Sequence, residues 1–233
     1  MPRARIAAEG TGGRPSCDMV CDVANDMADY LEIHPRNPQR RLISRAAEVL
    51  RGGGVIVYPT DSCYALGCRI GEKSALDRMR MIRRVDDKHH FTLVCRDLSE
   101  IATYARVDNV VYRLLKALTP GPYTFIVQAT KQVPRRLLHP KRRAIGIRVP
   151  DTPIVRDLLV ALDQPILSTT LILPGDEEPL ADMLDIRDHM DHCVDLIIDG
   201  GACGTEPTTV VDMTSAPPTV LRHGRGDTAL FDA

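Results

Sequence analysis

The amino-acid sequence predicts an α/β protein built on a mixed sheet. Two patterns carry that class. Amphipathic helical segments alternate with short β-branched runs through the first two thirds of the chain, and strand-like runs crowd together in the last third. Alternation alone would suggest a parallel sheet; the late crowding of strands requires antiparallel neighbours as well. Nothing as polar as the N-terminal tail interrupts residues 34–227, so residues 34–230 form one domain.

Residues 1–26, "MPRARIAAEGTGGRPSCDMVCDVAND", mix Gly, Pro and charge without periodicity and are expected to be a disordered or non-native extension, with structure starting near Met27. "PQRRLISRAAEVLRGGG" sets Leu42, Ile43, Ala46, Ala47, Val49 and Leu50 on one stripe and stops at glycines, which predicts a helix. "VIVYP" follows as a short strand. "KSALDRMRMIRRV" predicts a second helix with Leu76, Met79, Met81 and Ile82 inward, and "FTLVC" a strand. "NVVYRLLKALTPG" is a helix closed by Pro120 and Gly121. "YTFIVQAT" and "AIGIRVP" are strands, "PIVRDLLVALD" a helix and "PILSTTLIL" a strand. After a stretch rich in Asp and His come three more strands, in "VDLIIDGG", "TTVVDMT" and "TVLRHG".

Composition narrows the function. With 30 basic and 31 acidic residues the net charge is −1, which does not indicate a globally basic nucleic-acid binder. Trp is absent and aromatics are 4%, against a base-stacking surface. No apolar run approaches the ~18 residues that span a bilayer, and the N-terminus lacks the apolar centre of a signal peptide; both point to the cytoplasm. Seven scattered cysteines without CxxC spacing suggest reduced thiols rather than a disulfide framework or a zinc site.

In an open α/β sheet the ligand crevice is commonly built from strand-end loops. Five stretches qualify: "YPTDSCYALG", "RRVDDKHH", "TPGPYT", "AIGIRVP" with "PILSTT", and "VLRHGRG". They supply the hydroxyls of Thr60, Ser62, Thr124, Ser168, Thr169 and Thr170 and the cations Arg83, Arg84, Lys88, Arg148 and Arg222, an inventory suited to a polyanion such as a nucleotide. Thr60 and Ser62 serve equally well as turn caps. Arg83, Arg84 and Lys88 lie in a charge run of the kind that is usually solvated. His89 and His90, adjacent on an extended segment, point to opposite faces and do not suit one metal ion. Arg135, Arg136, Lys141, Arg142 and Arg143 concentrate positive charge between two strands; they suit RNA phosphates or simply a solvated loop.

Taken together, "GGVIVYPTDSCYALGC", "TPGPYTFIV", "RAIGIRVP", "PILSTT" and "VLRHG" resemble the YrdC-like family over residues 34 to about 230. "IHPRNPQRRL", "HFTLVCRDLSE", "VPRRLL" and "GGACGTEPTTVVD" are closest to its YciO branch. The resemblance implies a twisted open mixed sheet with helices and a large concave, positively lined cavity. It also implies a nucleotidyltransferase activity: L-threonine, bicarbonate and ATP, with Mg²⁺ bridging the phosphates, would form L-threonylcarbamoyladenylate for tRNA modification. Thr60, Ser62, Tyr64, Thr124 and Arg148 fall on the threonine and bicarbonate side. Arg83, Arg84, Lys88, Ser168, Thr170 and Arg222 fall on the nucleotide side, with Arg84, Lys88 and Thr170 as the catalytic candidates. No metal ligand of the protein is implied. The family's K-x-R falls on Ile82, Arg83 and Arg84, so its lysine is missing; its S-x-N places Ile172 where asparagine stands. An isoleucine offers no hydrogen bond, a loss of about 1–3 kcal/mol against a buried polar partner. The alternative that follows is a protein that binds double-stranded RNA or tRNA and has lost the chemistry.

Overall fold

The computed structural model describes residues 27–87, 89–139 and 142–231; the N-terminal extension, Lys88 and Lys141 lie outside them. Ten strands form one sheet in the order β1-β8-β2-β3-β7-β4-β6-β5-β9-β10. They are β1 (Asp29–Glu32), β2 (Val55–Tyr58), β3 (Ala65–Arg69), β4 (Thr92–Val94), β5 (Tyr123–Gln128), β6 (Ala144–Arg148), β7 (Ile166–Thr170), β8 (Leu196–Asp199), β9 (Thr209–Asp212) and β10 (Thr219–Arg222). Pairing is parallel for β1/β8, β2/β8, β4/β6 and β5/β9 and antiparallel elsewhere, which makes the sheet mixed as expected. The helices are α1 (Arg40–Arg51), α2 (Lys73–Arg83), α3 (Leu98–Tyr104), α4 (Asn109–Leu118), α5 (Pro153–Leu162) and α6 (Met183–Met190).

Strand alternation divides the core between the two faces of the sheet. Val55, Val57, Leu66, Leu93, Phe125, Val127, Ile145, Ile147 and Leu167 turn to one face, where the apolar sides of α2, α3, α4 and α6 cover them. Ile56, Tyr58, Ala65, Ile166, Leu196 and Ile198 turn to the other, where α1 and α5 pack on them and on each other. Those two helices reach only the β1-β8-β2-β3-β7 half. On β4, β6, β5, β9 and β10 the same face carries Thr92, Thr124, Gly146 and Arg148 beside the apolar Ile126 and Val210, and Val94 is its one member of that core cluster.

Several local expectations are corrected. Met81 is 49% exposed rather than inward: α2 buries Ala75, Leu76, Met79 and Ile82, so its apolar arc is centred one position away. The segment "ALGCR" is a strand, β3, rather than a loop, and makes "PTDSCY" the turn of a β2–β3 hairpin. α3 and α6 are helices where no periodicity had marked one. β1, at the N-terminal end of the described residues, pairs with β8. Cys63, Cys68, Cys95 and Cys203 are free thiols, but Cys193 is disulfide-bonded. Spacing along the chain does not report which sulfurs a fold brings together, so the expectation of reduced thiols throughout does not hold. Among the described residues no helix is long and apolar enough to cross a membrane.

Candidate functional site

The uncovered half of the sheet is the floor of a cavity of about 510 Å³. Strand register sets its side chains in rows. Arg148 lies beside Val94 on β4, and Thr124 lies one residue beyond the Phe125–Ile147 pair, next to Arg148. Thr124 in turn pairs with Val210 and Val210 with Arg222, completing one end. The next row holds Ser168, Thr92, Gly146 and Ile126. Ala144, Thr170, His89, His90, His139 and Arg142 lie toward the far end, where Arg83 reaches in from the C-terminus of α2. From Arg148 to Ala144 is four residues, roughly 13 Å at ~3.3 Å per residue. Gly146 keeps the middle of the floor low: a Cβ there would sit 3.1 Å from Thr92 Oγ1 and 3.3 Å from Thr124 Cγ2.

The wall is electropositive. Arg83, Arg142, Arg148 and Arg222 line it together with six hydroxyl residues, and among the described residues no carboxylate does. Arg222 donates to the Thr208 carbonyl through Nε (3.2 Å) and Nη2 (2.9 Å) and to Thr208 Oγ1 (3.2 Å); Thr208 Oγ1 lies 2.8 Å from Thr124 Oγ1. The Arg83 guanidinium donates to the carbonyl oxygen of Ile172, while its Nε is buried without a partner among the described residues. Burial draws the pKa of Arg83 and of Arg222 below the ordinary arginine range, but arginine stays cationic in proteins. His89 Nε2 lies 3.1 Å from Thr169 Oγ1, and His90 stacks on His139 with ring centroids 5.1 Å apart. Burial lowers the pKa of His89, helped by Arg83 and His90; burial, then His139, lowers that of His90.

The turn that connects β2 and β3 serves Arg148. Thr60 Oγ1 donates to the Cys63 carbonyl (2.6 Å) and is approached by the backbone N–H of Ser62 (3.2 Å), that of Cys63 (3.2 Å) and Arg148 Nη2 (3.2 Å). Two lone pairs already face three donors. Thr60 is therefore a turn cap and an arginine ligand at once, with nothing left for a substrate. Ser62 Oγ accepts from Arg148 Nη2 at 2.9 Å. Tyr64 is fully buried and ties the hairpin to the loop after β8, donating to the Gly201 carbonyl (2.7 Å) and accepting from Gly200 N–H (3.3 Å).

The structure thus brings Arg83, Thr124, Arg148, Ser168, Thr170 and Arg222 into one cavity and places Thr60 and Ser62 directly behind Arg148. Ser168 is already engaged: it accepts from Tyr58 O–H (2.7 Å) and donates to the Leu66 carbonyl (3.0 Å). Arg84 is exposed at the C-cap of α2 in the left-handed region (φ 46°), and does not line the cavity. Of the basic segment, Arg142 lines the cavity and pairs with Asp212 at 3.0 Å, Arg136 donates to the Gly71 carbonyl, and Arg135 and Arg143 are exposed. His139, part of the basic segment that the sequence marked, also lines the cavity. Sequence reasoning missed Thr92, Thr208 and Gly146. The signal was present: each sits on the polar or small parity of a strand, or beside one, whose other parity is apolar.

The family model Sua5_yciO_yrdC, described as telomere recombination, matches residues 48–224. YciO of Escherichia coli K12 is 56% identical over 205 residues, covering 88% of this chain and 100% of its own, and the crystal structure of E. coli YciO superposes with a TM-score of 0.85 over the same shares. A threonylcarbamoyl-AMP synthase of Chromohalobacter salexigens is 30% identical over 175 residues, 74% of this chain and 93% of its own. P. abyssi Sua5, solved in complex with L-threonine, shares the fold at a TM-score of 0.77 and 23% identity, over 84% of this chain and 57% of that one. The chain belongs to the Sua5/YciO/YrdC family.

Proposed function

We propose that the cavity binds ATP and a small carboxylated substrate and joins them as an adenylate, with threonylcarbamoyl-AMP formation as the leading reaction. The observation that carries this reading is the distribution of charge: arginines at both ends of one cavity and no carboxylate along its described wall. Such a wall suits a triphosphate and a second anion held in line. In the reaction, the amine of L-threonine and bicarbonate first give an N-carboxylated amino acid: an N–C bond forms, a C–O bond of bicarbonate breaks and water leaves. A carbamate oxygen then attacks the α-phosphorus, a C–O–P link forms, and the bond from the α-phosphorus to the bridging oxygen breaks to release pyrophosphate. Fixed cations in a partly dry cavity stabilise the charge that builds on the leaving group. Without wall carboxylates Mg²⁺ would enter with the nucleotide, held by phosphate oxygens and water.

Incubating the protein with labelled bicarbonate, L-threonine and ATP-magnesium tests the reading. A bicarbonate-labelled, threonine-dependent adenylate with stoichiometric pyrophosphate is expected; pyrophosphate release without label in an adenylate would show ATP cleavage without carbamate transfer and count against the reaction, and no product beside a working synthase would refute it. A second reading, RNA binding, is favoured by the exposed Arg135 and Arg143, which flank the cavity-lining Leu137, His139 and Arg142 along the chain. It predicts that Arg142→Ala with Arg143→Ala lowers both the affinity for double-stranded RNA or tRNA and its salt slope; unchanged values would reject that surface.

A further inference from the structure

Three consecutive residues of the β2–β3 turn converge on one nitrogen. Thr60 Oγ1, Ser62 Oγ and the Asp61 carboxylate all accept from Nη2 of Arg148, and the Asp61–Arg148 ion pair is about nine-tenths buried on both sides, with 10% of each side chain exposed. Asp61 is itself held from behind, its second oxygen accepting from the backbone N–H of Asp151 at 3.0 Å. Arg148 stands at the end of β6 and Asp151 just after it, so one carboxylate clasps both the arginine and the strand exit that carries it. The turn takes Nη2 alone. Nε of Arg148 is buried and has no hydrogen-bond partner among the described residues, on a side chain that lines the anion cavity.

A flexible arginine in an open cavity would lose rotamer freedom each time it bound an anion. One pinned at Nη2 has already lost it, and its remaining donors are pre-aimed. The cost is a negative charge placed against the cation that must bind an anion. A carboxylate in that place makes sense only if fixing the guanidinium matters more to binding than the attraction it cancels.

We propose that Asp61 is a positioning residue: it fixes the Arg148 guanidinium by Nη2 so that its free donors receive a carboxylate or phosphate oxygen of the substrate. This rests on the reading of the cavity as an anion site. Charge and position predict opposite signs for Asp61→Asn. If charge alone mattered, removing the carboxylate would leave the cavity more positive and tighten anion binding. If Asp61 positions Arg148, binding weakens; supporting groups behind a ligand-binding group typically contribute about 10–100-fold.

The test is the Kd of L-threonine, of inorganic pyrophosphate and of ATP for wild type, Asp61→Asn, Arg148→Lys and the double variant, with melting temperature as the control for folding. The expected result is at least about tenfold weaker binding by Asp61→Asn at a retained melting transition. The double variant is expected to bind no more weakly than Arg148→Lys, since Asp61 acts through Arg148. Equal or tighter binding by Asp61→Asn, or additive losses in the double variant, would overturn the proposal while leaving the anion site standing. Wild-type protein that binds none of the three probes would overturn the anion site itself. Should Asp61→Asn fail to fold, Asp61→Glu keeps the charge but moves the carboxylate relative to Arg148 Nη2, and unchanged affinity for every probe in that variant would overturn the proposal.

Discussion

Ile172 presents only carbon to the cavity, while its carbonyl oxygen accepts the hydrogen bond of Arg83. The backbone at this position thus holds a cation that the side chain cannot assist. An asparagine side chain here would add a donor and an acceptor and leave the carbonyl contact in place. A hydrogen bond realised in the transition state contributes about 1–3 kcal/mol, or about ten- to a hundredfold in rate. Ile172→Asn is therefore expected to raise the rate of adenylate formation by that range, measured by pyrophosphate release under saturating ATP, L-threonine and bicarbonate. An unchanged rate would show that position 172 does not limit the chemistry. At this scale the sequence exposed the inventory better than its use. Thr60 carries a hydroxyl in a strand-end loop, and nothing along the chain reveals that Cys63 and Arg148 already occupy it.

Helices and strands differ in how much of their cause is local. α4 is legible from its apolar stripe and the Pro120 and Gly121 that close it, and in the structure Asp108 Oδ1 caps its start, accepting from the N–H groups of Val110 (2.9 Å) and Val111 (2.8 Å). Removing that cap by Asp108→Ala is expected to cost about 1 kcal/mol, a fall of roughly 2–4 °C in melting temperature for a chain of this size. Thermal unfolding followed by circular dichroism would measure it, and a change within error would mean that solvent satisfies those N–H groups equally well. β3 is the opposite case. Its "ALGCR" lacks β-branched residues, and its central Gly67 lies beneath the ring of Tyr58, where a Cβ would come within 2.7 Å of Cε1 and 2.8 Å of Ile166 Cγ2. A strand made possible by the absence of a side chain leaves no β signal to read. α6 was hidden differently: its eight residues bury only Ile186 and Met190, too few to show a helical period.

The molecule as a whole is nearly neutral yet gathers cations along half of one sheet face, and that arrangement makes its stability depend on pH. At the far end of the cavity His89 faces Arg83, Arg80 and His90, with Asp86 as the opposing charge, and His90 faces His139. Burial, then these cations, depress the pKa of His89 below its ordinary value near 6.5. The unfolded chain takes up its protons as pH falls through that value, while the folded protein takes them up only lower down. Between the two values the unfolded state binds more protons, so protonation favours unfolding. The contribution is fully present above about pH 6.5 and is lost as pH falls through the folded value. A melting temperature that drops between pH 7.5 and pH 5 is expected. Glu100, whose pKa burial raises, works in the opposite direction, so the assignment lies in the difference between wild type and His89→Gln. The variant cannot titrate at this position, and its curve should be flatter over that interval. Parallel curves would show that the histidine end of the cavity admits enough water to keep His89 at its solution value, and would place the pH sensitivity elsewhere in the fold.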